Sequence, residues 1–345
     1  MMTLPDHHHV EMGPPWAVAI FAARESAATL EDTVSAAARA AAGRACRIDV
    51  LVNGNPELAR ELASRLQNGS SSFQTGLHIR VWFLEVGDKA QTWNTYVYRL
   101  YPGSELTFFV DGYARLEANA LRELSLGLQG DQQALAASGV PSCGASARRH
   151  ASAMLREGGI HGSLFVLPKQ TMNEIRRRKF RLPMGLYRTD SLIGAVLNFG
   201  FDPAANAWNP TRIRVQANAT WQYTPLRWWR LNDLKTHWKR RGRQLQGVLE
   251  NLAISDYLVH RQKAPGSLPS TARDLVLQWW RGENGPKWHQ ILRHPSRLLA
   301  LRRFYAAQDW SKADAAPRLV YRSPDQPLPA KPAAPASQTF DSMLV

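Results

Sequence analysis

Cysteines and long apolar runs are both scarce in this sequence of 345 residues. Only two cysteines occur, Cys46 and Cys143, so a disulfide framework is excluded and a reducing compartment is expected. The sequence has no apolar run of the roughly 18 residues that a membrane-spanning helix needs, and no span is predicted. Residues 1–15 contain no apolar core segment, which argues against a secretory signal peptide. The sequence therefore predicts a globular, cytoplasmic protein.

Acidic residues are fewer than basic ones. The chain has 43 Lys and Arg against 28 Asp and Glu, a net charge of +15. Such an excess is typical of proteins with a polyanionic partner, such as a nucleotide diphosphate, a nucleic acid or an acidic membrane surface. Charge alone does not distinguish these partners. The 44% of apolar residues is enough to build a sizeable core.

Short apolar runs alternate with helix-like stretches from Trp16 onward. The runs AVAIFAA, RIDVLVN, IRVWFLEV and ELTFFVD predict strands, and the intervening stretches have helical periodicity (Ala27 to Ala42, Pro56 to Leu66, Lys89 to Leu100), as does Leu116 to Leu128. This pattern predicts an α/β fold with a mostly parallel sheet covered by helices. Beyond Gly130 we expect a mixed or antiparallel sheet edge, with one strand at Gly162 to Pro168.

The composition changes after about residue 225. Residues 226–304 contain 16 Lys and Arg against five Asp and Glu, and nine of the 12 tryptophans lie between Trp208 and Trp310. Apolar residues recur at helical spacing from Gln244 to His260, which predicts an amphipathic helix. We therefore predict four regions: a flexible N-terminus (1–15), an α/β domain (16–225), a basic, Trp-rich helical region (226–312) and a disordered tail rich in Pro and Ala (313–345).

Ligands of such sheets bind beyond the carboxyl ends of the strands, so the polar residues that follow the apolar runs are the candidates. Four segments around these positions occur in order: AVAIFAARESAATLEDTV, VLVNGNPELA, GDKAQTWN and FFVDGYARLEANAL. Together they resemble family 2 glycosyltransferases, which are inverting enzymes with a GT-A fold. The resemblance covers roughly Trp16 to Asn251 and depends on order and spacing more than on any single motif.

The resemblance implies a binding site for a nucleotide-diphosphate sugar. The end of the first strand, at Ala23 and Glu25, would meet the nucleotide base, and Asn53 would face the base as well. Lys89 and Asn94 would lie on one side of a helix near the donor.

The fourth segment resembles the strand that ends in a metal-binding Asp-x-Asp motif. Asp111 is present, but Tyr113 occupies the second acidic position, so a two-carboxylate site is not predicted. The implied cofactor is a divalent cation, Mg²⁺ or Mn²⁺, bound at Asp111 and the substrate phosphates. Weak or absent metal dependence is the alternative.

Two further segments concern the chemistry. LYRTDSLIGAVL resembles the segment that carries the catalytic base, which makes Asp190 the candidate. HWKRRGRQLQGVLEN resembles the basic helix start that clamps the departing diphosphate, which implicates Arg240 and Arg243; Gln244 replaces the usual Trp.

Each candidate also has an ordinary structural role. Asp111 could cap a turn, Asp190 could be the N-cap of a helix, and Asn53 to Asn55 could be turn residues. Lys89 and the arginines near position 240 could be solvated, and these arginines could also attract anionic lipid headgroups.

We therefore expect an inverting glycosyltransferase of polysaccharide or glycolipid synthesis, with a glycan or lipid-linked acceptor, in the cytoplasm or at the inner membrane face. One alternative is a relative that binds a nucleotide sugar or polysaccharide without turnover, which Tyr113 favours. The other is a protein that binds single-stranded nucleic acid through its basic, Trp-rich region. That alternative would leave the polar strand ends without a function.

Overall fold

The computed structural model describes residues 13–69, 76–131, 133–144, 147–223, 231–282, 285–292, 294, 296–306 and 308–324, and only the backbone over 231–241. Residues 1–12 of the predicted flexible N-terminus and 325–345 of the predicted tail lie outside the described residues. None of the described helices is long and apolar enough to cross a bilayer.

The described strands form a single mixed sheet. The strands are β1 (Trp16–Ala22), β2 (Cys46–Asn53), β3 (Leu77–Leu84), β4 (Leu106–Asp111), β5 (Arg115–Leu116), β6 (Ala136–Pro141), β7 (Leu164–Pro168), β8 (Ile213–Gln222) and β9 (Arg318–Arg322). Their spatial order is β5-β8-β6-β7-β4-β1-β2-β3-β9. Strands β1 to β4 are mutually parallel, whereas β7 runs antiparallel to β4 and to β6, and β9 runs antiparallel to β3. The predicted α/β class and the predicted mixed edge are confirmed.

Helices cover both faces of the sheet. They are α1 (Ala27–Ala40), α2 (Pro56–Gly69), α3 (Lys89–Thr95), α4 (Ala120–Leu128), α5 (Ala147–Glu157), α6 (Lys169–Arg177), α7 (Thr189–Asn198), α8 (Leu231–Ser255), α9 (Ala272–Arg281), α10 (Trp288–Leu292) and α11 (Ser296–Tyr305). Two π-helical turns, Tyr96–Leu100 and Asp256–His260, continue α3 and α8.

Short polar side chains cap the N-termini of two of these helices. Ser26 accepts a hydrogen bond from the Thr29 amide of α1, and Asp88 accepts one from the Gln91 amide of α3.

The core has two layers because successive side chains of a strand point to opposite faces. In β1, Val18 and Ile20 pack with α1, α2 and α4, whereas Ala19 and Phe21 pack with helices on the other face. All of β1 is buried, which explains why this strand reads as a continuous apolar run.

The basic C-terminal helices share one of these layers. Leu249 of α8, Trp279 and Trp280 of α9 and Phe304 of α11 belong to the cluster that contains Phe109 of β4. The region that differs in composition therefore packs on the sheet, and at least two of its tryptophans are core residues.

The predicted disordered tail, 313–345, begins too early in the sequence. Strand β9 lies within its first residues and pairs with β3, so that boundary of the prediction is wrong. The Ile79 amide donates to Ser323 Oγ at 3.0 Å, and the Ser323 amide donates to the Ile79 carbonyl at 2.8 Å. The surrounding Pro and Ala dominated the composition and concealed the short alternating run RLVYR.

Candidate active site

The site is built where the carboxyl ends of β1 to β4 meet the start of β7. Because β7 is antiparallel to β4, with Val110 opposite Leu164, the residues that precede β7 lie beside the end of β4. His161, Gly162 and Ser163 are therefore neighbours of Asp111.

Asp111 is held by three side chains. Its Oδ1 forms an ion pair with Lys89 Nζ, while its Oδ2 accepts from the Tyr113 hydroxyl at 2.9 Å and from Ser163 Oγ at 3.1 Å. The side chain of Asp111 is 13% exposed and that of Lys89 is 35% exposed. The negative charge of Asp111 raises the pKa of Tyr113, so this phenol stays protonated and donates. Of the ion pair, Lys89 is the group more open to solvent.

The turn between Asp111 and Tyr113 requires glycine. A Cβ on Gly112 would lie 2.9 Å from the Ala22 Cβ and 3.0 Å from the Phe21 carbonyl oxygen. The Gly112 amide donates to that same Phe21 oxygen at 2.8 Å. This close approach fixes the turn against the end of β1 and hence fixes the positions from which Asp111 and Tyr113 project.

Asp190 lies beside Gly162, which precedes β7 by two positions. A Cβ on Gly162 would lie 3.5 Å from the Asp190 Cβ and 3.5 Å from Lys89 Nζ. Three residues that the sequence singled out, Asp190, Lys89 and Asp111, are thus brought together around one glycine. Asp190 is the second residue of α7, whose N-cap is Arg188, so it is not the N-cap. Among the described residues, no hydrogen bond occupies its carboxylate.

His161 is a member of the site that sequence reasoning missed. Its Nδ1 accepts from the Ser163 amide at 3.2 Å, which leaves the proton of the neutral ring on Nε2. Burial lowers the pKa of His161, although the carboxylates of Asp190 and Asp111 oppose that shift. The site therefore contains a neutral imidazole beside the candidate base.

The residues predicted to meet the base form a tight polar turn. Glu25 accepts from the amides of Ala23 at 2.8 Å and Arg24 at 2.9 Å. Asn53 is only 4% exposed, and its amide donates to the Ala22 carbonyl at 3.0 Å. The Nδ2 of Asn53 therefore joins the ends of β1 and β2, while no described residue bonds to its Oδ1, the atom predicted to accept from a base; that role stays a prediction.

Asn94 has both ends of its side-chain amide bonded to backbone. It is buried, and its amide both donates to the Leu182 carbonyl at 2.8 Å and accepts from the Leu182 amide at 2.9 Å. This reciprocal pair fixes the segment before α7. Asn94 therefore positions backbone instead of meeting a donor.

The two candidate arginines lie on α8. The side chain of Arg240 lies outside the described residues. The Arg243 guanidinium carbon is 6.0 Å from the ring centroid of Tyr187, and its Nε is buried without a partner among the described residues. Tyr187 precedes Asp190 by three positions, so Arg243 lies against the segment that leads to the candidate base.

Glu250 of α8 is a second residue that the sequence reasoning missed. Its carboxylate is fully buried and accepts from the amides of Tyr187 and Arg188, with Arg188 at 2.9 Å, and from Gln246 Nε2 at 2.8 Å. It therefore holds the two residues that precede α7. The available signal was a single acid, next to Leu249, within the apolar part of an amphipathic helix.

The donor set at Asp111 does not fit a divalent cation. Both carboxylate oxygens accept from groups of the chain, and the group on Oδ1 is an ammonium. Mg²⁺ and Mn²⁺ favour carboxylate, carbonyl and water oxygens, and a second cation at Oδ1 would be repelled by Lys89. Within the described part of the chain, no three His, Cys, Asp or Glu residues are grouped to hold a metal.

Comparison with known proteins finds similarity in structure only. No protein-family model matches the sequence, and no curated protein matches it. TarS from S. aureus (residues 1–349) aligns at a TM-score of 0.46 with 11% identity, over 77% of this chain and 71% of that one. Glucosyl-3-phosphoglycerate synthase from Mycobacterium tuberculosis, solved with Mn²⁺, UDP and glucosyl-3-phosphoglycerate, aligns at 0.46 with 14% identity, over 74% of this chain and 86% of that one. The likeness is one of fold alone.

Proposed function

We propose that the protein is an inverting glycosyltransferase that moves a sugar from a nucleotide-diphosphate sugar to a hydroxyl group of a glycan or lipid-linked acceptor. The observation that carries this proposal is the juxtaposition of Asp190 and Lys89 at Gly162. A carboxylate that has no hydrogen bond among the described residues and a partly exposed ammonium then lie beside the same face of one glycine. The reaction needs these two groups, a base for the acceptor and a positive charge for the leaving group.

In the proposed mechanism, Asp190 takes the proton of the acceptor hydroxyl as that oxygen attacks the anomeric carbon. The bond from the anomeric carbon to the diphosphate oxygen breaks at the same time, and its electron pair leaves with the diphosphate. A single displacement inverts the anomeric centre. Lys89 stabilises the developing negative charge, and Arg240 and Arg243 of α8 are the further candidates for that role.

The first test replaces the carboxylate of the candidate base, Asp190, by an amide. The Asp190→Asn variant is expected to lose about 10²-fold or more in transfer rate, because the amide cannot accept the proton, while its affinity for UDP stays that of the wild type. Asp274→Asn is a matched control, since Asp274 lies in the first turn of α9. Full activity of Asp190→Asn, measured as release of nucleotide diphosphate, would refute the role of Asp190.

A second candidate function is binding of a nucleotide sugar or polysaccharide without turnover. The observation in its favour is the occupied state of Asp111, whose two oxygens already bind Lys89, Tyr113 and Ser163. Thermal-shift measurements with UDP, GDP, CDP, TDP and CMP separate the possibilities. A nucleotide that stabilises the protein while no sugar donor is consumed would favour binding alone. Stabilisation by random oligonucleotides alone would favour the nucleic-acid-binding alternative.

We also propose that the protein acts in the cytoplasm, at an anionic membrane surface. Exposed apolar side chains on α10 and α11 support this proposal, because they lie among basic residues: Trp288, Leu292, Leu298, Leu299 and Tyr305 with Arg302 and Arg303. Apolar side chains that enter the headgroup region and arginines that attract anionic lipid are the usual elements of such contacts.

A further inference from the structure

The site described above contains a cation of its own at the place where a metal was expected. Lys89 is the first residue of α3, and Asp88, the N-cap of that helix, fixes its start. Lys89 therefore reaches Asp111 from a well-defined helix end. The residues after β4 complete the arrangement, since Tyr113 donates to Asp111 instead of supplying a second carboxylate.

The hydrogen-bonding capacity of Lys89 leaves room for a ligand. An ammonium has three N–H donors. One bonds to Asp111, and a second lies 3.4 Å from the Gly162 carbonyl oxygen. No other hydrogen-bond or ion-pair partner occurs among the described residues, although Nζ also lies 6.0 Å from the ring centroid of Phe21, and the side chain is 35% exposed. One donor of Lys89 is thus available for a ligand.

We infer that the site binds the diphosphate of its donor without a divalent cation, with the ammonium of Lys89, held by Asp111, in the place of the metal. Asp111 then acts as a positioning residue for Lys89, and Tyr113 and Ser163 hold Asp111 in turn. This inference rests on the proposed function, because it concerns the same donor. When the bond to the anomeric carbon breaks, the electron pair on the diphosphate oxygen is stabilised by an N–H bond of Lys89.

The charges of the site assign different roles to its cations. Asp111 offsets much of the charge of Lys89, so the pair offers the diphosphate a charge-assisted N–H donor, and Arg240 and Arg243 of α8 are the candidates for the net positive charge. An added divalent ion on the Asp111 carboxylate would lie beside the Lys89 ammonium in a partly buried site, where repulsion between like charges is weakly screened.

The test is calorimetry of the full-length protein with UDP, and with GDP, CDP and TDP if UDP does not bind. Each titration is done in EDTA and in excess MnCl₂. The expected result is an affinity that differs by less than about twofold between the two conditions. Binding of Mn²⁺ itself, followed by its electron paramagnetic resonance signal, is expected to be the same with and without protein.

A variant tests the role of Lys89 directly. Lys89→Met is expected to weaken binding of the nucleotide diphosphate by about tenfold or more, since a charge-assisted bond to phosphate is lost. Lys169→Met is the matched control, because Lys169 also forms an ion pair, with Glu105 at 3.0 Å, but follows the opposite end of β7. If Lys89→Met does not fold, the comparison of EDTA with MnCl₂ on the wild type still decides the question.

The outcomes are separable. Binding of a nucleotide diphosphate only in the presence of Mn²⁺ would overturn the metal-free site and leave the proposed function in place. Equal binding by Lys89→Met and wild type would also overturn it. No binding of any nucleotide diphosphate in either condition would refute the proposed function itself and this inference with it.

Discussion

Replacement of Glu250 by alanine is expected to damage both the stability of the protein and the position of Asp190. Glu250 is fully buried on α8, and it accepts the amide protons of Tyr187 and Arg188, the residues that lead into α7. Alanine removes the acceptor and leaves these two N–H groups to find another. The segment before Asp190 then loses its main tie to α8.

The magnitude follows from the contacts. Each buried amide that loses its acceptor costs about 1–3 kcal/mol, and relief of the buried charge offsets part of this, so a loss of roughly 3 kcal/mol is expected. Burial raises the pKa of Glu250, which shows that the ionised carboxylate is itself costly here. For 345 residues at about 2.1 cal/mol/K per residue, roughly 3 kcal/mol corresponds to a fall in Tm of about 4 °C.

The assay is thermal unfolding, followed by kinetics. Glu250→Gln keeps one acceptor and removes the charge, so its Tm is expected to lie close to that of the wild type. Glu174→Ala is the surface control, because its partners are the exposed Arg177 and the part-exposed Arg178. In Glu250→Ala we expect kcat to fall about tenfold or more with little change in the KM of the donor, as displacement of a reacting group predicts. A Tm within about 1 °C of wild type, together with unchanged kcat, would refute this reasoning.

Three further outcomes are expected. Gly54→Ala should lower the Tm, because Gly54 has a φ of +66° and an added Cβ would lie 2.6 Å from the Gly87 Cα; an unchanged Tm would contradict the close approach. Burial lowers the pKa of His161 in the folded protein below the ordinary value of 6.5. As the pH falls below 6.5, the imidazole therefore takes up a proton more readily in the unfolded chain than in the folded protein, and the stability of the folded protein falls. His161→Gln should reduce that slope, by at most about 1.4 kcal/mol per pH unit, in Tm measurements between about pH 5 and 7. Leu298→Ser with Leu299→Ser should weaken cosedimentation with phosphatidylglycerol vesicles about tenfold, because apolar insertion is lost; unchanged binding would exclude these leucines from the membrane contact.

The central sheet was predictable because parallel strands covered on both faces appear as short continuous apolar runs. Because these strands are parallel, their polar carboxyl ends lie at one edge of the sheet, and Lys89, Asp111 and Asp190 meet at that edge. The roles of Asn53 and Asn94 could not be read in the same way. Both have amides that can bind a ligand or a backbone, and only the packed structure shows that their partners are Ala22 and Leu182.

The residues that were missed depend on contacts between distant parts of the chain. His161 to Ser163 reach Asp111 only because β7 runs antiparallel to β4, and the sequence shows where a strand lies but not its direction. Glu250 lies more than 60 positions from the amides that it binds. No local pattern could pair them.

The position of β9 has a consequence for synthesis. Strand β3 ends at residue 84, yet its outer edge is paired by residues 318–322, more than 230 positions later. During translation, the first three strands can emerge and associate long before their last partner exists. The backbone groups along β3 are then open to other chains for most of the time on the ribosome. Loss of residues 316–345 would remove β9 and leave the edge of β3 unpaired permanently. Such a truncated product is expected to be prone to aggregation, even though it keeps the residues of the candidate active site.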